Sequence, residues 1–206
     1  KANSLLITAT IFFFLASYFL RRKPLLFPQG FMETVYPLFC AVLPLVIYHS
    51  VELLRYVPAQ NRYYSTIQAL VGLHDYGLFR WNLFSMILVL TGNFITLLGM
   101  VSLRRSFSIM VEAREPVYTG LYAYVRHPLY VGETVAAAGV LVFRFSPVNI
   151  FLFLLFIACQ TYRAALEERK LLSVFPEYAA YRRRTGAFFP RSLRKSHCES
   201  RKNGLQ

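Results

Sequence analysis

The 206 residues carry 23 Lys and Arg against 10 Asp and Glu, a formal net charge of +13, and 56% of them are hydrophobic, with 19 Phe. With a mean hydropathy of +0.41, this is more apolar material than a soluble domain needs to fill its core, which excludes a water-soluble globular protein and points to a bilayer. Much of the positive charge flanks apolar runs, a placement that suits anionic lipid headgroups and argues against nucleic acid.

Crossing the hydrocarbon takes about 20 apolar residues, or slightly fewer when charged ends snorkel. Five runs approach that length, at residues 4–20, 34–54, 82–101, 129–143 and 148–166. The first ends in Arg21, Arg22 and Lys23 without a small-residue cleavage site, so it reads as a retained span and not as a signal peptide. The second closes on His49, Glu52 and Arg55, three apart on one helix face, which reads as an interfacial ion network. Residues 55–81 are rich in Tyr, with Phe79 and Trp81 at the end, and are expected to lie at the outer interface; Gly72 and Gly77 break any long helix there. Cys40, Cys159 and Cys198 show no metal-ligand spacing, so neither a disulfide nor a metal site is expected.

Five spans make the loops alternate sides. Seventeen Lys and Arg then fall on one side, in 21–23, 104–126 and the chain after 168, against five on the other. Positive residues are retained in the cytoplasm, so the N-terminus is expected outside, with the 102–127 loop and the C-terminus cytoplasmic.

The polar chemistry gathers in the second half. Pro128 is pre-set for the first turn of a helix, with Arg126 and His127 just outside it. The N–H groups and positive dipole end of that helix are a ready site for a carboxylate. Tyr130 flanks the turn, Gly132 permits close approach, and Glu133 follows inward, either as a structural partner for an Arg or as a substrate contact. The chain then runs outward, turns at 144–147 and returns, which brings Arg163 and Glu167, four apart on one face, back to the depth of Pro128. A closely packed pair of helices at about 8–10 Å would let them reach His127. Singly, each residue has an ordinary interfacial reading. Together they converge at one depth, where ionisable groups are costly unless paired or used.

These residues resemble the isoprenylcysteine carboxyl methyltransferase family and its phospholipid methyltransferase-like relatives, over roughly residues 98–190. The pattern runs through Leu98-Gly99, Arg105 to Ser108, Val117 to Tyr122 and the Arg-His-Pro-Leu-Tyr-Val-Gly stretch at 126–132, then Glu167-Glu168, Phe175, Tyr178, Tyr181 and Phe188 to Pro190. Pro176 stands where the family has Gly, and the link before Val117 is shorter than in the eukaryotic enzymes. The resemblance implies an all-α integral membrane bundle that takes S-adenosylmethionine from the cytoplasm and moves its methyl to a lipid-like or prenylated acceptor. It also implies that Val117, Tyr122, His127, Pro128, Leu129, Tyr130 and Glu167 line the cofactor site, and that Arg163 faces the acceptor. One domain spans 1–206: N-terminal spans at 1–101, a cofactor-binding and catalytic half at 102–190, and a basic tail at 191–206.

The residues suit that chemistry. The ammonium of the cofactor matches Glu167, and its sulfonium suits the faces of Tyr122 and Tyr130. Methyl transfer needs chiefly alignment and dryness. A carboxylate acceptor needs no base and would be held by Arg163, whereas an amine must lose a proton, which makes Glu168 or Glu133 the candidate base. No Gly-x-Gly occurs, which argues against a soluble Rossmann-type methyltransferase. After Glu168, Leu171, Leu172 and Phe175 lie opposite Arg169 and Lys170, so a cytoplasmic amphipathic helix is expected over the pocket. Two alternatives stand beside this reading. One is an NADPH-dependent sterol-type reductase, disfavoured because this chain has Pro176-Glu177-Tyr178 and no Trp after Trp81. The other is a non-catalytic scaffold of the same fold.

Overall fold

A computed structural model describes residues 23–50, 66, 79–103, 106, 108 and 110–191. Its long elements are helices, α1 (Gly30–His49), α2 (Phe79–Leu103), α3 (Pro128–Phe143), α4 (Pro147–Val174) and the short α5 (Tyr178–Arg184). The first apolar run, Glu52, Arg55, the tail beyond 191 and most of the aromatic stretch before Phe79 lie outside the described residues.

Helices α1 and α4, and α2 from Asn82, are long and apolar enough to cross a membrane, while α3 is shorter at 16 residues. The outward faces carry exposed Phe39, Leu45, Ile87, Phe94, Phe151 and Leu154, as lipid-facing surfaces do. This is an integral membrane helical bundle. Pro128 occupies the first turn of α3 as the sequence predicts. Pro147 does the same for α4, where the Ser146 hydroxyl accepts from the Asn149 N–H at 3.2 Å.

One expectation about packing is overturned. Helix α3 does not pack closely along α4; it makes its broadest contact with α2 and a narrow one with α4. The reason lies in small residues. A Cβ placed on Gly92 would lie 2.7 Å from the Ala136 Cα, and one on Gly139 would lie 2.8 Å from the Val89 N, so both helices present bare backbone to each other. In an apolar surrounding such contacts decide which helices approach most closely. Meanwhile α1 packs on α4 and α3 through Cys40, Leu43, Ala137, Phe156 and Cys159, and the Tyr36 hydroxyl donates to the Cys159 carbonyl at 3.0 Å. The gap between α3 and α4 is bridged by side chains.

A second difference concerns α4. It runs unbroken through Glu167, Glu168 and Lys170 to Val174, so the expected amphipathic segment is the end of the last span and not a separate element. Lys170, expected on a solvated face, is buried because its ammonium is bound by the Phe27 carbonyl at 2.7 Å and by the Glu33 carboxylate. The separate C-terminal helix is α5.

The segment before α1 also pairs with the stretch after α2. Leu25 N donates to Ala113 O at 2.9 Å, Ala113 N to Leu26 O at 3.1 Å, and Val111 N to Glu33 O at 3.0 Å. Residues 23–33, 110–127 and 175–191 therefore gather at one end of the bundle. Arg144 closes the other end, its guanidinium 5.0 Å from the Phe143 ring centre and 5.8 Å from that of Tyr48.

Candidate functional site

The approach to α3 is shaped by a short 3-10 turn at Gly120–Ala123. Gly120 has φ +64, and a Cβ there would meet Ser102 Oγ at 2.8 Å, so glycine is required on both counts. The chain then pairs with the segment after α5: Arg126 N donates to Gly186 O at 2.9 Å and His127 N to Ala187 O at 3.0 Å. The Tyr181 hydroxyl adds a 2.5 Å bond to the Tyr122 carbonyl. Burial raises the Tyr181 phenol from 10.0 to about 12 and holds that of Tyr122 well above its ordinary value, so both remain neutral hydroxyls at physiological pH.

From this clamp His127 enters as the residue preceding α3, 7% exposed. Its ring lies parallel to that of Tyr130, with centroids 5.4 Å apart, and Phe188 covers it at 5.8 Å. Residues from α4 complete the arrangement. The Tyr130 hydroxyl donates to Glu167 Oε1, and Arg163 Nε lies 3.4 Å from the same oxygen. The Arg163 guanidinium also sits 5.0 Å from the Tyr130 ring centre, at cation–π range. Glu167 Oε2 is 4.0 Å from His127 Nδ1.

A cavity opens between these side chains. Val117, Tyr122, His127, Leu129, Tyr130, Glu133, Arg163 and Glu167 line it, so eight of the ten residues singled out from sequence share one space. The other two stand behind it. Pro128 is fully buried under the first turn of α3. Glu168 accepts from Arg126 Nε at 2.7 Å, Arg182 Nε at 2.9 Å and His127 Nε2 at 3.0 Å. With those partners it ties α5 and His127 to α4, in the position of an anchor more than of a base. Glu133 meets Gln160, whose amide donates to its Oε2, and it also interacts with the charge of Arg163, as one reading of the sequence had it.

Sequence reasoning missed Glu112 and left Arg114 in doubt as a cofactor contact, because the link before Val117 is short. Glu112 and Arg114 line the cavity with side chains only 5% exposed, joined at 2.9 Å from Arg114 Nε and 2.5 Å from Nη2, while Ser108 Oγ adds 2.9 Å to the same Glu112 oxygen. Charges two apart in a loop read as a solvated stretch. Only the pairing of residues 25–26 with 113, which the sequence does not announce, buries them.

The donor set fits a zwitterionic nucleoside sulfonium. The first turn of α3 has no side-chain cap, leaving backbone N–H groups for a carboxylate. Glu167 and Glu112 supply acceptors for ammonium and hydroxyl groups, and Tyr122 and Tyr130 supply aromatic faces.

Residues 85–173 match the family model of the isoprenylcysteine carboxyl methyltransferase (ICMT) family, so the chain is ICMT-like from the middle of α2 to the end of α4. The cobalt-zinc-cadmium resistance protein CzcN of Cupriavidus metallidurans is 42% identical over 76 residues, covering 36% of this chain and 35% of that protein. The protein-S-isoprenylcysteine O-methyltransferase of Saccharomyces cerevisiae is 29% identical over 112 residues, covering 50% of this chain and 46% of that one. The matches therefore span less than half the length of each curated relative.

Proposed function

We propose, for a chain that is ICMT-like over residues 85–173, that it is an S-adenosylmethionine-dependent methyltransferase acting on a lipid-like acceptor at the cytoplasmic face of a membrane. The observation that carries the reading is the convergence of the uncapped α3 N-terminus, the parallel His127–Tyr130 pair and the Glu167–Arg163 pair on one cavity at the end of a membrane bundle. S-adenosylmethionine, when bound, supplies a methyl group activated by its sulfonium charge. The residues of the chain supply position. The α3 N-terminus holds a carboxylate, Glu167 an ammonium or hydroxyl, and Tyr122 and Tyr130 a cationic sulfur. Arg163, beside Tyr130 and one turn deeper than Glu167, faces the side from which an acceptor in the bilayer arrives. Phe188 and the tyrosines of α5 exclude water, which matters because a displacement at carbon gains most from alignment in a dry site.

The cytoplasmic assignment rests on the Lys and Arg balance of the sequence, and among the described residues the basic side chains of 23–33, 110–127 and 169–191 belong to the site end. The Cupriavidus relative is named for cobalt-zinc-cadmium resistance. Among the described residues no group of three or more His, Cys, Asp or Glu side chains is placed to hold a metal ion, so the cavity chemistry carries the reading instead.

Calorimetry on detergent-purified protein tests it. S-adenosylhomocysteine, the demethylated product, should bind and NADPH should not. NADPH binding alone would favour the reductase alternative, and binding of neither would favour the scaffold. Incubating membranes with methyl-labelled cofactor should then yield a labelled lipid that identifies the acceptor.

A further inference from the structure

A second polar layer lies one helical turn deeper in the bundle than Tyr130 and Arg163. Glu133 follows Tyr130 by three residues on α3, and Gln160 precedes Arg163 by three on α4, so each sits toward the bilayer from the cavity residue before it. Gln160 is 3% exposed and donates its amide to Glu133, whose side chain lines the cavity. The other half of that amide is unusual. Gln160 Oε1 is buried and has no hydrogen-bond partner among the described residues. A buried carbonyl oxygen in this condition is costly, and a donor arriving on a ligand relieves it.

Charge points the same way. At this depth Glu167, at 3.4 Å, and Glu133 both already engage the charge of Arg163. A carboxylate head entering here competes with both of them for that guanidinium and brings only acceptors to Glu133 and Gln160. An ammonium head brings positive charge and several N–H donors.

We propose that Glu133 and Gln160 form the acceptor-selecting layer, taking a lipid-borne amine in preference to a lipid-borne carboxylate, with Glu133 receiving the proton the amine must lose. This rests on the methyltransferase reading above. The ammonium gives one proton to the Glu133 carboxylate, which frees the nitrogen lone pair. The N–C bond then forms as the C–S bond of the sulfonium methyl donor breaks, the bonding pair stays on sulfur, and the product is a methylated ammonium. Gln160 holds Glu133 in place throughout.

The test uses the full chain in detergent and two probes with equal tails, dodecylamine and dodecanoate, titrated by calorimetry at neutral pH without methyl donor. The amine should bind about tenfold more tightly than the acid, a difference on the scale of one well-placed charged hydrogen bond. In Glu133→Gln and in Gln160→Met that preference should shrink toward unity, by a larger factor than any change in S-adenosylhomocysteine affinity. Two variants on different helices, each with its melting profile, separate lost selectivity from lost folding. Preference for dodecanoate, or one ratio in all three proteins, overturns the acceptor assignment. Failure of the wild-type chain to bind S-adenosylhomocysteine overturns the methyltransferase reading instead, and the amine-to-acid ratio does not measure that.

Discussion

Glu167 shows how much one side chain does here. Its Oε1 receives the Tyr130 hydroxyl and faces Arg163, so it couples the first turn of α3 to α4 while offering Oε2 to the cavity. Replacing it by Gln keeps the shape and removes the charge. S-adenosylhomocysteine affinity measured by calorimetry should fall about tenfold, the usual effect of losing a charge-assisted bond. Arg163→Ala should also weaken binding, since the guanidinium holds both Glu167 and the Tyr130 ring, and Arg163→Lys should not restore it because an ammonium lacks the planar fork. Tyr181 carries a different prediction. Its folded value of about 12 lies above the ordinary 10.0, so the folded state holds the proton more tightly. Its contribution to stability is therefore complete below pH 10 and lost as pH rises through about 12. The melting-temperature gap between wild type and Tyr181→Phe should close across that window.

Among the elements, the pairing of α2 with α3 governs the cavity. Gly92, Gly132 and Gly139 draw α3 onto α2 and so leave its other face to meet α4 through polar side chains. Gly92→Leu should force the helices apart and cost about 1–3 kcal/mol, as overpacking does, seen as a lower unfolding temperature in detergent together with weaker cofactor binding. The strap at 23–33 is the other coupled element. Lys170, in the same helix as Arg163 and Glu167, binds Phe27 and Glu33, and the strap in turn pairs with the segment that presents Glu112 and Arg114. Lys170→Met should free that strap. Hydrogen exchange should then accelerate at the amides of residues 25, 26, 111 and 113, while those in the middle of α2 stay protected.

For the whole molecule, the four long helices run so that the strap, the site loops and α5 meet at one end, with Arg144 and Phe145 at the other. The described basic residues follow the same division, which is the ground for the cytoplasmic face proposed above. Single cysteines introduced at Phe189 and at Phe145, both exposed, in a background lacking the native ones should label from opposite faces of sealed vesicles, the first from the cytoplasmic face. Labelling of both from one face would contradict the bundle, and labelling with the faces exchanged would contradict the sidedness alone.

The apolar runs determined the membrane setting and the place of each described span, because length and hydropathy are local properties that lipid reads directly. The proline that opens α3 and the spacing of Arg163 and Glu167 likewise foretold a helix start and a shared face, since both follow from the geometry of one helix. Tertiary structure alone decided which helices touch. Gly132 could have faced α4 as readily as α2 from its own sequence, and only the matching glycine on α2 settles it. It also converted Glu112, Arg114 and Lys170 from apparent surface charges into buried partners, and Glu168 into the anchor of α5. Such pairings join residues far apart in the chain. Their energies depend on a dielectric and a set of neighbours that exist only once the bundle has closed.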